Sequence, residues 1–218
     1  MPDDLLDWWR VRRQVAWATA ANPVAGPVGG HRDGFLDYVE TTVAARDATR
    51  AARLRAALHQ VSAAAAARER LDFDLLARWQ APVLGVPEVG FRTGAAYAKG
   101  GRERYGLEPG TRRRFEACLA EATDPLVPLP SRAARVYLDV AFVHPFPDGN
   151  ARAALLCLYF VLRRDRVTID LAAPVLTVVR RTGDLPGTLD MIRLMEVLIA
   201  ATRRRAAAKP PDRNCSLR

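Results

Sequence analysis

One stretch constrains the fold more than any other: residues 144–152 have the sequence His-Pro-Phe-Pro-Asp-Gly-Asn-Ala-Arg. Before it, apolar residues recur at helical spacing, and after it residues 153–162 are continuously apolar, which is typical of a buried helix. Pro145 and Pro147 cannot lie in the middle of one continuous helix, and the Asp-Gly pair is a turn signal. The stretch therefore predicts a polar loop between two helices. The loop ends at a helix N-terminus, where free backbone N–H groups favour phosphate.

This loop resembles the signature of the Fic/Doc (Fido) family, H-P-F-x-[D/E]-G-N-G-R-x-x-R. The match holds at His144, Pro145, Phe146, Asp148, Gly149, Asn150 and Arg152. It departs at Ala151, where Gly is usual, and at Leu155, where a second Arg is usual. The resemblance implies a mainly α fold, a Fic-type helical bundle with one short β-hairpin near residues 95–105. It also implies a protein adenylyltransferase, which moves AMP or another nucleoside monophosphate from a nucleoside triphosphate to a Ser, Thr or Tyr hydroxyl of a target protein.

The resemblance also assigns roles within the loop. His144 is expected to be the catalytic base, since an unperturbed histidine titrates near neutral pH. Asp148 is the only acid of the loop. It is expected to hold Mg²⁺ (or Mn²⁺) together with phosphate oxygens of the substrate ATP. The residues expected to bind the nucleotide and its phosphates are Phe146, Gly149, Asn150, Ala151 and Arg152.

A second region follows the same family pattern. Gly100-Gly101 suits a two-residue turn between short strands, so residues 95–105 are predicted to form a β-hairpin. Phe91-Arg92 precedes it, as a similar pair often does in the family. There the hairpin is a flap that holds the target protein by strand addition. The residues expected to bind the target are Tyr97, Ala98, Lys99, Gly100 and Gly101.

The two departures from the signature leave alternatives open. Ala151 adds a methyl group where the α-phosphate is expected to approach, and Leu155 removes an arginine that in many relatives contacts the outer phosphates. A Leu at that position is also typical of the Doc branch, which transfers phosphate rather than AMP. Gly149, in contrast, follows the AMP-transferring branch. The alternatives are a Doc-like protein kinase, or a catalytically weak Fic module that binds a nucleotide or a protein.

A regulatory feature of the family is altered as well. Many Fic proteins carry an inhibitory helix of pattern [S/T]-x-x-x-E-[G/N], whose Glu pairs with the second Arg of the signature. In this chain residues 42–47 lie where an N-terminal inhibitory helix would be, and Arg46 stands at the position of the Glu. Leu155 replaces the Arg, so both partners of the pair would be missing. We therefore hypothesise that this form of self-inhibition is lacking.

The predicted organisation is a Fic/Fido domain at residues 31–205. An N-terminal helix and linker precede it at 1–30, and a disordered basic tail follows at 206–218. Besides the two helices that flank the loop, helices are predicted over residues 5–20, 33–46, 48–71, 111–122, 171–181 and 188–205. Ser131 is the predicted cap of the helix that leads to His144.

The net charge of +9 comes almost entirely from arginine, because Lys99 and Lys209 are the only lysines among 33 basic residues. We interpret it as a solvated arginine-rich surface. No nucleic-acid motif accompanies it, so nucleic acid is not expected as a partner. No apolar run reaches the roughly 18 residues that span a membrane, and no secretory signal is visible. Three cysteines without metal-ligand spacing argue against a disulfide scaffold. The predicted location is the cytoplasm.

Overall fold

The computed structural model describes residues 2–208 of the chain, which are mainly helical, as predicted. The helices are α1 Asp4–Gln14, α2 Gly34–Tyr38, α3 Ala48–Ala66, α4 Phe73–Leu84, α5 Thr111–Glu121, α6 Leu129–Val143, α7 Asn150–Arg164, α8 Ala173–Thr177 and α9 Leu185–Ala207. A π-helical turn, Val39–Val43, continues α2. The strands are β1 Val28–Gly29, β2 Ala96–Ala98, β3 Glu103–Tyr105 and β4 Val167–Thr168.

Helices α6 and α7 form the centre of the molecule and meet at the loop of residues 144–149. Helix α7 is buried throughout residues 153–162, as its continuous apolar sequence predicts. It packs against α6, α3 and α4, while α6 also packs against α9 and α5. The loop is therefore fixed at both ends by helices of the hydrophobic core.

Two helix ends differ from the predicted ones because side chains bind the backbone there. Helix α1 ends before residue 15 rather than at residue 20. Beyond its end, Trp17 Nε1 donates to the Arg12 carbonyl at 2.9 Å. Helix α9 begins earlier than predicted, because the Asp184 carboxylate accepts from the Gly187 N–H at 2.8 Å. A proline in the first turn is compatible with that start.

Other predicted helices are shorter or divided. The segment predicted over 33–46 consists of α2 and the π-helical turn, and α8 occupies only part of the segment predicted over 171–181. Helix α3 ends before Arg68, which adopts a φ of 55°. The prediction that Ser131 caps α6 is wrong. Pro128 is the N-cap, and Ser131 is a fully buried residue within the first turn.

The predicted β-hairpin is present. Strands β2 and β3 pair antiparallel, with Tyr97 opposite Arg104. Four residues, 99–102, join them instead of the two predicted at Gly100-Gly101, and residues 99–101 have positive φ. Two of these three residues are glycines, which adopt positive φ without strain. A second pair, β1 with β4 in parallel, lies partly in the segment predicted as a linker. Strands of two residues are too short to leave a period-2 pattern in the sequence.

Helix α1 is joined to α6 by a buried ion pair. The carboxylate of Asp139, in α6, is fully buried. It accepts from Trp8 Nε1 at 3.1 Å and from Arg12 Nε at 2.7 Å. Because both donors lie on α1, this single carboxylate holds one face of the N-terminal helix against the core.

The start of α1 also holds the hairpin. The Asp4 carboxylate accepts from the Arg104 N–H at 2.9 Å, and the Asp3 carboxylate accepts from the Gly106 N–H at 2.9 Å. Asp3 is at the same time the N-cap of α1, accepting from the Leu5 N–H at 3.0 Å. The N-terminal helix therefore contacts both the core and strand β3.

The predicted tail lies mostly outside the described residues. Helix α9 includes residues 206 and 207, whereas residues 209–218, with Cys215, are not described. Within residues 2–208, Cys118 and Cys157 are buried free thiols. No helix in that range combines the length and the apolar character needed to cross a membrane.

Candidate functional site

The loop of residues 144–149 borders a cavity of about 530 Å³. Its other walls are the first turns of α7, strand β2, and the segment from the π-helical turn to the start of α3. The predicted site residues that line it are His144, Asp148, Gly149, Asn150, Ala151, Arg152, Tyr97 and Ala98. The predicted site residues outside its lining are Phe146, Lys99, Gly100 and Gly101.

His144 ends α6 and adopts a left-handed backbone conformation, with a φ of 50°. This conformation turns the chain out of the helix and directs the imidazole into the cavity lining. The ring stacks on Tyr105 of β3, with 4.0 Å between ring centroids and 18° between ring planes. Among the described residues, none hydrogen-bonds the buried Nδ1 atom. The flap strand thus fixes the plane of the ring without engaging that nitrogen.

The environment of His144 favours the neutral imidazole. The pKa of His144 is lowered from 6.5 to about 4, chiefly by burial and also by the nearby positive charge of Arg92, whereas Glu103 opposes the shift. A neutral imidazole has an unprotonated nitrogen, which is what a general base requires. The site therefore keeps its histidine ready to accept a proton at neutral pH.

Arg92 joins the flap, the loop and the end of α6. Its guanidinium donates to the carbonyls of Gly106 and Val143, and its N–H donates to the Pro145 carbonyl at 2.9 Å. The side chain is buried, and burial lowers its pKa. The sequence indicates Phe91-Arg92 only as a family pattern, whereas these contacts give Arg92 a structural role beside His144.

The loop is closed by Asn150 and Phe146. The Asn150 side-chain oxygen accepts from the Phe146 N–H, and the side-chain NH₂ donates to the Phe146 carbonyl, both at 2.9 Å. The Phe146 ring is fully buried and stacks on Phe73, with centroids 5.4 Å apart. Phe146 therefore does not reach the cavity, contrary to its predicted contact with the nucleotide. It anchors the loop to the core instead.

Gly149 sits where a side chain would not fit. Its φ is 74°, and a Cβ atom there would lie 2.5 Å from Gln80 Nε2 and 3.0 Å from Leu84 Cδ2. Gln80, fully buried on α4, donates to the carbonyls of Asp148 and Gly149, both at 3.1 Å. The Gln80 side-chain amide thus holds the turn in a left-handed conformation that favours glycine.

The first turn of α7 presents donors to the cavity. The N–H groups of its first residues, Asn150 and Ala151, have no acceptor within the helix, as at any helix N-terminus. Arg152 contacts Asp148 Oδ2 through Nη2 and the Val83 carbonyl through Nη1, each at 3.3 Å. Burial lowers the pKa of Arg152, Asp148 opposes this, and Arg50 and Arg53 add to the lowering. The start of α7 is therefore an electropositive wall suited to phosphate.

Asp148 is the one acid of the loop, and 80% of its side chain is exposed. Within residues 2–208, no group of three or more His, Cys, Asp and Glu side chains could hold a metal ion. A single carboxylate fits Mg²⁺ that arrives on a nucleotide, since Mg²⁺ binds one or two carboxylates plus phosphate oxygens and water. It does not fit a metal ion held by protein ligands alone.

The flap presents an exposed strand beside the cavity. In the described part of the chain β2 pairs with β3 alone, so its other edge is open. Tyr97 is 61% exposed. The Lys99 ammonium pairs with Glu103 Oε1 at 2.6 Å, which stiffens the turn end. An extended peptide could add to the open edge through main-chain hydrogen bonds.

Three contributors to the site were not identified from the sequence: Gln80, Tyr105 and Arg50. Gln80 left a weak signal, because it is a polar residue on the buried face of α4, among Leu76, Trp79 and Val83. Tyr105 could have been placed facing inward by strand alternation, but its stacking on His144 depends on how α6 ends. Arg50 is one of many exposed arginines on the helices of this chain. Nothing in the local sequence therefore indicates that it lines the cavity.

A family model matches the part of the chain that contains the loop and the flap. Residues 88–162 match the model described as the Fic/DOC family. A solved structure of a Fic-domain-containing signaling protein from Bacteroides thetaiotaomicron aligns with 97% of this chain and 95% of its own, at 14% identity and a TM-score of 0.48. No curated protein sequence matches the chain.

Proposed function

Residues 88–162 of this protein are a Fic/DOC family segment, and from that premise we propose that it is a protein adenylyltransferase. It moves AMP, or another nucleoside monophosphate, from a nucleoside triphosphate to a hydroxyl side chain of a target protein. Transferases are typical of the family, and the transferred group and the target class are our proposal. One observation carries it: a histidine kept neutral lines the same cavity as the electropositive start of α7.

The proposed step is a displacement at phosphorus. The hydroxyl oxygen of the target attacks the α-phosphorus, a new P–O bond forms, and the bond from that phosphorus to the pyrophosphate oxygen breaks. The hydroxyl proton passes to the neutral imidazole of His144. Arg152 and the free N–H groups at the start of α7 stabilise the negative charge that develops on the phosphate oxygens. Asp148 would hold Mg²⁺, which neutralises phosphate charge when it is bound with the nucleotide.

The open edge of β2 supports a protein as the acceptor. It borders the same cavity as His144, because the residues of β2 and His144 both line that cavity. A target segment added to β2 would run along the same cavity that Tyr97 and Ala98 line. We propose this edge as the surface that brings the target hydroxyl to the base.

Leu155 favours a second candidate, transfer of the γ-phosphate as by a protein kinase. It lines the cavity with 4% of its surface exposed, at the position where the signature has its second arginine. A nucleotide that lacks this contact could bind in the opposite direction, with its γ-phosphate near His144. The same base would then activate the hydroxyl for attack at the γ-phosphorus.

Labelled ATP separates the two candidates. The protein is incubated with cell lysate and ATP labelled at either the α- or the γ-phosphate, alongside His144→Ala and a control, His59→Ala, which changes an exposed residue of α3. Protein labelled from the α-phosphate alone supports AMP transfer, and label from the γ-phosphate alone supports the kinase. Equal labelling by wild type and His144→Ala would refute the role of His144. Nucleotide binding with neither label would indicate a binding module.

A further inference from the structure

Three arginines line the cavity, and only one of them belongs to the loop signature. Arg152 comes from α7, whereas Arg46 follows the π-helical turn and Arg50 lies in the first turn of α3. At the position of the second signature arginine, α7 offers the apolar side chain of Leu155. Compared with the signature, the α7 wall therefore lacks one guanidinium group. The wall formed by the segment before α3 and its first turn provides two, those of Arg46 and Arg50.

The two arginines of that wall differ in their partners. Arg50 Nε lies 3.6 Å from Asp47 Oδ2, and the Asp47 carboxylate also accepts from the Arg50 N–H at 2.8 Å as the N-cap of α3. Arg46, in contrast, takes part in no ion pair within residues 2–208, the described range. Its charge is thus available to a ligand in the cavity, whereas that of Arg50 is partly balanced.

The lining as a whole is positive. It holds three arginines against two aspartates, Asp47 and Asp148. Arg50 and Arg53 are near enough to Arg152 to act on it as like charges. Like charges gathered around one cavity destabilise one another, and an anion bound among them removes that repulsion.

We propose that Arg46 and Arg50 bind the outer phosphates of the nucleoside triphosphate, in place of the second arginine that the signature would put at residue 155. This rests on the proposed function, since it takes a nucleoside triphosphate as the ligand of this cavity. Guanidinium groups form paired hydrogen bonds with phosphate oxygens, so two of them suit the doubly charged end of the triphosphate. The segment in which inhibited relatives carry a glutamate would here attract the nucleotide.

The test compares ATP with AMP, because AMP has no outer phosphates. Binding of each nucleotide with Mg²⁺ is measured by calorimetry for the full chain, for Arg46→Gln and for Arg46→Gln/Arg50→Gln. The matched control is Arg55→Gln, an exposed arginine of α3 that lies outside the cavity lining and within 4.0 Å of Glu40. Arg46→Gln is the sharper variant, since Arg50→Gln alone would leave Asp47 without its partner.

We expect Arg46→Gln to weaken ATP binding by about tenfold to a hundredfold, the loss typical of a charged hydrogen bond, and to leave AMP binding unchanged. The double variant should weaken ATP binding further, and Arg55→Gln should have no effect on either nucleotide. Unchanged ATP binding in the double variant, or equal losses for ATP and AMP, would overturn the inference.

The outcomes also separate this inference from the proposed function. If the variants weaken ATP binding selectively but the wild-type protein labels no target, the phosphate contacts stand and the transfer reaction fails. If the wild type transfers AMP and the variants bind ATP normally, the inference alone fails. If the wild type binds no nucleotide, both are refuted.

Discussion

At the scale of single residues, the site depends on the protonation state and the orientation of one imidazole. Stacking on Tyr105 sets the plane of the His144 ring, and burial together with Arg92 keeps it neutral. These two effects are separable, because the first comes from the flap and the second mainly from the core. Each gives a prediction.

The first prediction concerns pH. Since the pKa of His144 is lowered to about 4, we expect its ring resonances, followed by NMR, to remain those of the neutral imidazole from pH 7 down to about pH 5. The shift also contributes to stability. The unfolded chain binds the proton near pH 6.5 and the native state only near pH 4, so this contribution is complete above about pH 6.5 and is lost as the pH falls towards 4.

The corresponding difference in the free energy of unfolding is on the order of 3 kcal/mol. His144→Ala removes the titrating group, so urea unfolding of this variant should show a smaller loss of stability between pH 6.5 and pH 4 than the wild type. A midpoint near pH 6.5 in the NMR titration would show that the imidazole is accessible to water and would contradict the prediction.

The second prediction concerns the stack. Tyr105→Phe keeps the ring against His144 and removes only the hydrogen bond from the hydroxyl to Glu103 Oε2, which is 2.8 Å long. We expect it to retain transfer activity and to lose about 1 kcal/mol of stability. Tyr105→Leu removes the aromatic face, and we expect kcat to fall at least tenfold while KM for ATP changes little. Equal kcat values for the two variants would show that stacking does not position the base.

At the scale of elements, the loop between α6 and α7 is set by contacts from three directions. Phe146 holds it to the core, Asn150 closes it, and Gln80 of α4 binds its carbonyls. A loop held in this way presents the N-terminus of α7 in one fixed position, which is what stabilisation of developing charge requires.

The third prediction compares two neighbouring positions of this loop. Gly149→Ala puts a Cβ atom 2.5 Å from Gln80 Nε2 at a φ of 74°. We expect a loss of about 1–3 kcal/mol in stability and loss of most activity, because the turn must shift. Ala151→Gly restores the residue usual in the family and should destabilise α7 by at most about 1 kcal/mol.

Activity and melting temperature of both variants provide the measurement. If the Ala151 methyl group hinders the α-phosphate, Ala151→Gly should also raise kcat/KM. Equal effects of the two substitutions would mean that the left-handed turn is not the constraint we describe.

The sequence predicted the elements of the site better than the contacts between them. Proline positions, the Asp-Gly turn and the apolar run of α7 are local signals, so the loop and the hairpin were predicted with nearly their observed bounds. Gln80 acts across 68 residues of sequence on the Asp148 carbonyl. Such a contact exists only after α4 has packed against α7, and no local pattern encodes it.

At the scale of the molecule, α1 extends the core and reaches the flap. Asp139 binds Trp8 and Arg12 of this helix, while Asp4 binds the backbone of β3 and Asp3 binds the N–H of Gly106, the residue that follows β3. The sequence predicts a helix over residues 5–20 but not the ionic partner that this helix meets. A buried aspartate in the middle of α6 is chemically unlike its neighbours, and only the packed structure shows which cation it meets.

The fourth prediction tests that attachment. Asp139→Ala leaves Arg12 half-buried without this partner and Trp8 Nε1 without an acceptor, so we expect a loss of about 3–5 kcal/mol in the free energy of unfolding. Denaturant unfolding followed by tryptophan fluorescence measures it. The matched control is Asp190→Ala, an exposed pair with Arg193 on α9, which should change stability by less than about 1 kcal/mol. Similar losses in the two variants would contradict a special role for Asp139.

The stacking of Tyr105 on His144 divides the hairpin into a part that engineering can change and a part that it must leave alone. Ala96 pairs with Tyr105, whereas Tyr97 pairs with Arg104, so consecutive positions alternate between the two sides of the sheet. Inserting one residue within β3 would turn Tyr105 to the other side of the sheet, so its ring would no longer stack on His144. Substitutions in the 99–102 turn that keep its length and conformation leave that register unchanged. On the proposed function, libraries that seek new target proteins should therefore vary the turn and Tyr97 while keeping Tyr105 and the length of β3 constant.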